Sequence, residues 1–141
     1  MSFIKLQEHT AEFFHRHWPS AEEIPAPVWS DRWDFIGTIP NYDKAGCYAL
    51  FCGEELIYVG VSEDTIAKRT NDYTRMAAGA RAVDVTRRPY VPTPHWAERG
   101  MNGIRTIGLP AEYFYLAPAL ESYLIGSLGA ILRENTNKKR L

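Results

Sequence analysis

Two short apolar, aromatic runs, Ala45 to Phe51 and Leu56 to Val61, flank the turn-forming Gly53-Glu54-Glu55. Runs bounded in this way read as strands, and a short glycine-containing link makes them an antiparallel hairpin. Side chains alternate along a strand. A link with an odd number of residues pairs even positions with even ones, so Tyr48, Tyr58 and Gly60 share one face of the sheet. A glycine there leaves bare backbone beside two phenols, with room for a ligand to approach.

After the hairpin the chain turns into a helix. Ser62 or Asp64 suits the N-cap, and Glu63 and Asp64 suit a first turn. Ile66, Arg69, Tyr73 and Met76 recur at helical spacing, which predicts a helix running through them. Arg69 then looks back at the hairpin beside Ile66 and Tyr73, and a guanidinium so placed is suited to a phosphate. Taken singly, each of these residues has a structural reading: tyrosine and glycine are common in strands, and Arg69 could be a solvated helix charge. Order, spacing and element type together are far more specific.

The stretch GCYALFCGEELIYVGVSEDTIAKRTNDY, with Gly46-Cys47-Tyr48, Tyr58-Val59-Gly60 and Arg69, resembles the signature of the GIY-YIG nuclease superfamily. The resemblance spans residues 44 to 137. It implies a small α/β (α+β) domain, a central mainly antiparallel sheet flanked by helices, and divalent-metal-dependent hydrolysis of DNA phosphodiester bonds. It also implies a glutamate early in a later helix, followed by an asparagine. The segment ALESYLIGSLGAILRENTN supplies both, as Glu121 and either Asn135 or Asn137, with Asn135 preferred. Pro118 suits a first helical turn, and Leu120, Leu124, Leu128 and Ile131 form an apolar stripe with Glu121 at its edge. Placed in the first turn, that carboxylate would also meet the helix dipole favourably with no catalytic role. Two departures stand out: Cys47 replaces the isoleucine of the family name, and no proline lies between Glu121 and the candidate asparagines.

The roles implied by the resemblance are these. Glu121 binds one Mg²⁺ or Mn²⁺, which polarises the scissile phosphate. Tyr48 is the general base on the attacking water; its ordinary pKa of about 10 must be lowered, or its action relayed through water. Tyr58 and Arg69 position and neutralise the phosphate. Asn135 holds the local hydrogen-bond network.

The 141 residues suit one domain. Residues 1–43 read as an N-terminal helix (3 to 17) and a Trp/Pro-rich extension packed on the core, 44–137 as the nuclease-like domain, and 138–141 as a basic tail. Trp18, Trp29 and Trp33 read as core cover. Residues 79 to 100 read as a long loop, and residues 101 to 116 offer one or two strands around Gly108-Leu109-Pro110. No apolar run is long enough to span a membrane, and the N-terminus carries acids where a signal peptide is apolar, so a cytoplasmic protein is expected. Cys47 and Cys52 read as free thiols. His15 and His17 straddle Arg16 and face different ways on a helix, so no metal is assigned to a histidine.

The formal net charge of −1 conceals an asymmetry. Residues 1 to 64 carry eleven acids against four bases, whereas residues 65 to 105 carry eight bases against three acids. The basic stretch runs from Arg69 through Arg75, Arg81, Arg87, Arg88, Arg99 and Arg105. A face of this kind suits a phosphate backbone, and Gly60, Arg75, Arg81, Arg87 and Arg88 are the candidate substrate contacts. An internal pairing with the acidic part would use the same charges. The loop residues Arg87, Arg88, Tyr90, His95 and Trp96 could grip single-stranded or distorted nucleic acid, or form a packed flap. The expected partner is DNA, branched or damaged forms included. A nucleic-acid-binding module that does not cut and a protein-interaction domain are the other two functions that these residues allow.

Overall fold

The computed structural model describes residues 2–19 and 23–135. Its centre is a three-stranded antiparallel sheet in the order β2-β1-β5, formed by β1 (Gly46–Cys52), β2 (Glu55–Ser62) and β5 (Gly103–Gly108). Helices α1 (Ser2–His17) and α4 (Leu116–Leu128) pack on one face. The other face carries α2 (Ile66–Thr70), α3 (Pro94–Glu98) and a separate ribbon of β3 (Thr74–Met76) and β4 (Tyr90–Pro92). This is an α+β fold with a mainly antiparallel sheet. Among the described residues no helix is long and apolar enough to cross a membrane.

The hairpin forms by a different route from the one its turn suggests. Cys52 pairs with Glu55 across a link of only Gly53 and Glu54, and Gly53 takes the positive φ of 59° that a tight turn needs. That link pairs odd positions with even ones. A bulge corrects the register: Phe51 faces Leu56 but Leu50 faces Tyr58, leaving Ile57 as the extra residue. Beyond the bulge, Tyr48 faces Gly60 and even pairs with even. Ile57 and Tyr58 therefore both lie in the cluster on the face of Tyr48 and Leu50.

Strict alternation along β1 separates two cores. Cys47, Ala49 and Phe51 meet the stripes of α1 (Leu6, Phe13, Phe14) and α4 (Leu120, Leu124, Leu128). Tyr48 and Leu50 meet Ile66, Tyr73, Trp96 and Met101. Residues before 44 contribute to both cores, Trp18 and Trp29 to the first, Trp33 and Ile39 to the second. The three tryptophans are at most 9 % exposed, as core cover requires.

Several elements differ from expectation. Helix α2 stops at Thr70, and Tyr73 and Met76 lie on the following turn and on β3. Its cap is Thr65, whose side chain accepts from the Lys68 amide, while Ser62 Oγ donates to the Thr65 carbonyl. Helix α4 starts at Leu116, which puts Glu121 in its second turn. Residues 79 to 100 are structured, with 3-10 turns at Ala80–Ala82 and Val85–Arg87 before β4 and α3. The region 101 to 116 yields one strand, β5. Asn137 and the basic tail at 138–141 lie outside the described residues.

Both outer edges of the sheet are covered. On β5, Ser30 donates to the Thr106 carbonyl at 2.7 Å and Trp33 to the Ile104 carbonyl at 2.8 Å. On β2, the Glu134 amide donates to the Ile57 carbonyl at 3.0 Å. Asn135, 1 % exposed, closes that edge: its Oδ1 accepts from Val59 N at 2.8 Å and its Nδ2 donates to Val59 O at 2.9 Å. One side chain thus imitates a neighbouring strand. Replacing it by alanine leaves a buried donor and a buried acceptor without partners, at about 1–3 kcal/mol each. We expect Asn135→Ala to lower the urea midpoint accordingly, and Asn135→Asp to lower it as well, since it buries a carboxylate with one oxygen against the Val59 carbonyl.

Candidate active site

Four elements meet over the centre of the sheet. Tyr48 comes from β1, Tyr58 from β2, Tyr73 from the turn after α2, and Trp96 from α3. The Tyr48 and Tyr73 hydroxyls are 2.7 Å apart and hydrogen-bonded. The Tyr58 ring stacks 6.4 Å from Tyr48, and Trp96 meets both Tyr58 (5.3 Å) and Tyr73 (5.5 Å). Tyr48 and Tyr73 are 2 % and 5 % exposed, whereas Tyr58 is half-buried and open on one side.

Gly60 makes this arrangement possible in a way its sequence context did not reveal. A Cβ on Gly60 would fall 2.4 Å from the Tyr48 hydroxyl and ring. The bare backbone is therefore occupied by the Tyr48 phenol itself, not left for a ligand. Gly60 is a packing residue for the Tyr48 ring.

The charge state of the cluster follows from its burial. Burial pushes the Tyr48 pKa above its ordinary 10.0, against hydrogen bonds from Tyr73 and Arg69 that pull it down. Tyr73 is pushed up too, first by burial and then by Tyr48. Tyr48 thus keeps its proton at neutral pH, opposite to the lowering that a general base needs. Arg69 is held more firmly charged, chiefly by its hydrogen bond with Tyr48. The rest of its side chain is open, 45 % exposed, with Asp72 Oδ2 at 3.9 Å. Tyr48 and Tyr73 thus stand as protonated phenols, hydrogen-bonded to each other, beside the Arg69 guanidinium.

The candidate carboxylate comes from a different layer of the fold. Glu121 is half-buried on α4, the helix that covers the face opposite Tyr48. It shares the side of Ala117 and Ile125, one helical turn away on each side. The route from α4 to the tyrosine face passes the β2 edge, where Asn135 holds Val59. Among the described residues no three His, Cys, Asp or Glu side chains gather to hold a metal. A lone carboxylate is nonetheless a donor set that Mg²⁺ accepts, since that ion keeps most of its waters and takes further oxygens from substrate phosphates.

The arginines divide into two groups. Arg88 Nε and a terminal nitrogen donate to the carbonyls of Ala80 and Val83, both at 3.2 Å. Arg99 pairs with Glu134 at 3.1 Å. Arg105 lies 3.6 Å over the Phe3 ring, beneath α1 on the opposite face, and its pKa is lowered chiefly by burial. These three hold the fold together. Arg75, Arg81 and Arg87 are exposed on or between β3 and β4. Sequence reasoning missed Tyr73 as a partner of Tyr48; its place on a helix face toward the hairpin was the available signal.

Comparison with known proteins finds no matching family model, no matching curated protein and no matching solved structure.

Two outcomes follow. Tyr48 and Tyr73 ionise more easily unfolded than folded, so their contribution is intact below about pH 10 and is lost as pH rises beyond it. An alkaline titration should show tyrosinate absorbance for these residues appearing together with the loss of far-ultraviolet circular dichroism, not before it. Separately, Gly60→Ala should displace the Tyr48 ring and lower stability by about 1–3 kcal/mol, the cost of overpacking. Chemical denaturation measures it.

Proposed function

We propose that the chain is a divalent-metal-dependent endonuclease that hydrolyses DNA phosphodiester bonds. The observation carrying this reading is the meeting of Arg69 with Tyr48 beside the half-open Tyr58. The exposed Arg69 cation beside the half-buried Tyr58 suits the oxygens of a phosphodiester. Arg69 and Tyr58 are the positions at which the GIY-YIG resemblance expects substrate phosphate, and Tyr48 is the position of its general base.

In this reading Arg69 and the Tyr58 hydroxyl bind the phosphate and stabilise the charge that grows on its oxygens in the transition state. Tyr48 keeps its proton and acts by orientation, fixing Arg69 from below. Water attacks phosphorus and the sugar oxygen leaves, giving a phosphomonoester and a free hydroxyl. The proton of the attacking water departs through a water relay, since a buried phenol with a raised pKa does not accept it at neutral pH. Glu121 is the residue that would hold the metal, and a bound Mg²⁺ or Mn²⁺ would polarise the phosphate and stabilise the leaving oxygen. Asn135 keeps β2, and with it Tyr58, in register.

A second reading is favoured by a different observation. Glu121 rides on the far face of the sheet and Tyr48 is raised rather than lowered in pKa. Both suit a module that binds nucleic acid and leaves it intact. A cleavage assay separates the two. Purified protein with labelled duplex and branched DNA should give Mg²⁺-dependent nicking that EDTA stops. Glu121→Ala should abolish it while staying folded, with a stability change of about 1 kcal/mol or less. Cleavage by this variant at the wild-type rate would remove Glu121 from the site. Binding without cleavage by the wild type would establish the second reading.

A further inference from the structure

We infer that the segment 74–92 is a preformed clamp for a distorted DNA duplex, an inference that rests on the nucleic-acid reading above but not on cleavage. The segment springs from the floor of the site. Tyr73, which touches Tyr48, directly precedes β3, and the Thr93 amide after β4 donates to the Tyr73 carbonyl at 2.9 Å. The base of the segment therefore stands at the tyrosine cluster.

The clamp is built in advance. Arg88 ties the turn at Ala80 to Val83 from within. Residues 35–37 strap it from outside: Tyr90 donates to the Phe35 carbonyl at 2.7 Å, and Gly37 to the Arg88 carbonyl at 2.9 Å. Gly37 has φ of 75°, and a Cβ there would lie 2.7 Å from the Thr86 carbonyl oxygen, so the strap fits only as glycine. Phe35 holds a φ of 68°, unusual for a bulky residue, in the same strap. A segment so pinned loses little conformational entropy when it binds.

Its surface is chemically mixed in one particular way. Residues 74–92 contain four arginines and one acid, Asp84, which accepts from Thr86 Oγ1 at 2.6 Å. With Arg88 used internally, Arg75, Arg81 and Arg87 remain exposed. Among them stand exposed apolar side chains: Val85 (50 %) between Arg81 and Arg87, with Met76 and Val91 on the ribbon. The cations complement a phosphate backbone. An apolar tip gains nothing from the charged backbone of an intact duplex. It gains when a base step is opened, where apolar side chains wedge between unstacked bases flanked by arginine contacts. A nick, bulge or fork offers such a step at low cost.

Fluorescence anisotropy in EDTA, which silences any metal-dependent cleavage, tests the clamp on labelled duplexes that are continuous, nicked or carry a bulge. The wild type should prefer the nicked and bulged forms. Arg81→Ala with Arg87→Ala should weaken binding and flatten the plot of log affinity against log salt by roughly two, one per phosphate contact. The double lysine replacement should restore the slope. Val85→Ser should keep the slope and remove the preference for the interrupted duplexes. Circular dichroism and urea midpoints equal to wild type confirm that each variant is folded. Unchanged affinity and slope in the double alanine variant, or equal binding of all three duplexes by the wild type, would overturn the inference. A wild type that binds in EDTA yet cuts nothing with Mg²⁺ leaves the clamp standing and ends the nuclease reading. A wild type that binds no duplex ends both.

Discussion

The Tyr48 phenol lying across the bare backbone of Gly60 is the contact on which the site depends. It removes a tyrosine hydroxyl from water, and burial of that hydroxyl demands partners. Tyr73 and Arg69 answer the demand, one by a hydrogen bond at 2.7 Å, the other by a cation held against the phenol. Each partner draws its own segment to the sheet: the short α2 brings Arg69, and the turn after it brings Tyr73. The β3–β4 ribbon follows from that turn, and Trp96 on α3 closes the arrangement against Tyr58 and Tyr73. A methyl group at position 60 would unseat all of this at once.

The hairpin, the sharing of a face by Tyr48, Tyr58 and Gly60, and the apolar stripe of α4 were legible in the sequence, because each is a matter of period and alternation along a few residues. The bulge at Ile57 was not. The expected parity survives only because a two-residue turn and an extra residue cancel, and no local pattern announces that cancellation. Helix α2 is shorter than its spacing predicts because Tyr73 and Met76 keep helical spacing by coincidence; cross-strand pairing of Thr74–Met76 with Tyr90–Pro92 overrides it. Arg88, Arg99 and Arg105 were indistinguishable from Arg75, Arg81 and Arg87 as charges. Only tertiary contacts, with carbonyls, with Glu134 and with the Phe3 ring, separate structural cations from exposed ones.

The sheet also acts as a partition. Alternation along β1 sends odd residues to the helices and even residues to the tyrosine cluster, so chemistry on one face cannot borrow side chains from the other except around a strand edge. Helix α4, which carries Glu121, and the phenols stand on either side of that partition. At the outer edge of β2, Asn135 and Glu134 fix the backbone of Ile57 and Val59. The same few bonds set the position of Tyr58 and the distance that a carboxylate on α4 must bridge.

The strap of residues 30–33 along β5 has a consequence for how the chain divides. The resemblance begins near residue 44, yet Ser30 and Trp33 supply the hydrogen bonds that finish the sheet on that side. A fragment cut at 44 would present Ile104 and Thr106 as an unpaired edge beside an uncovered core, a surface that recruits other chains by strand addition. The stretch before residue 44 is thus a built-in guard against self-association, and the recognisable motif and the folding unit are not the same length of chain.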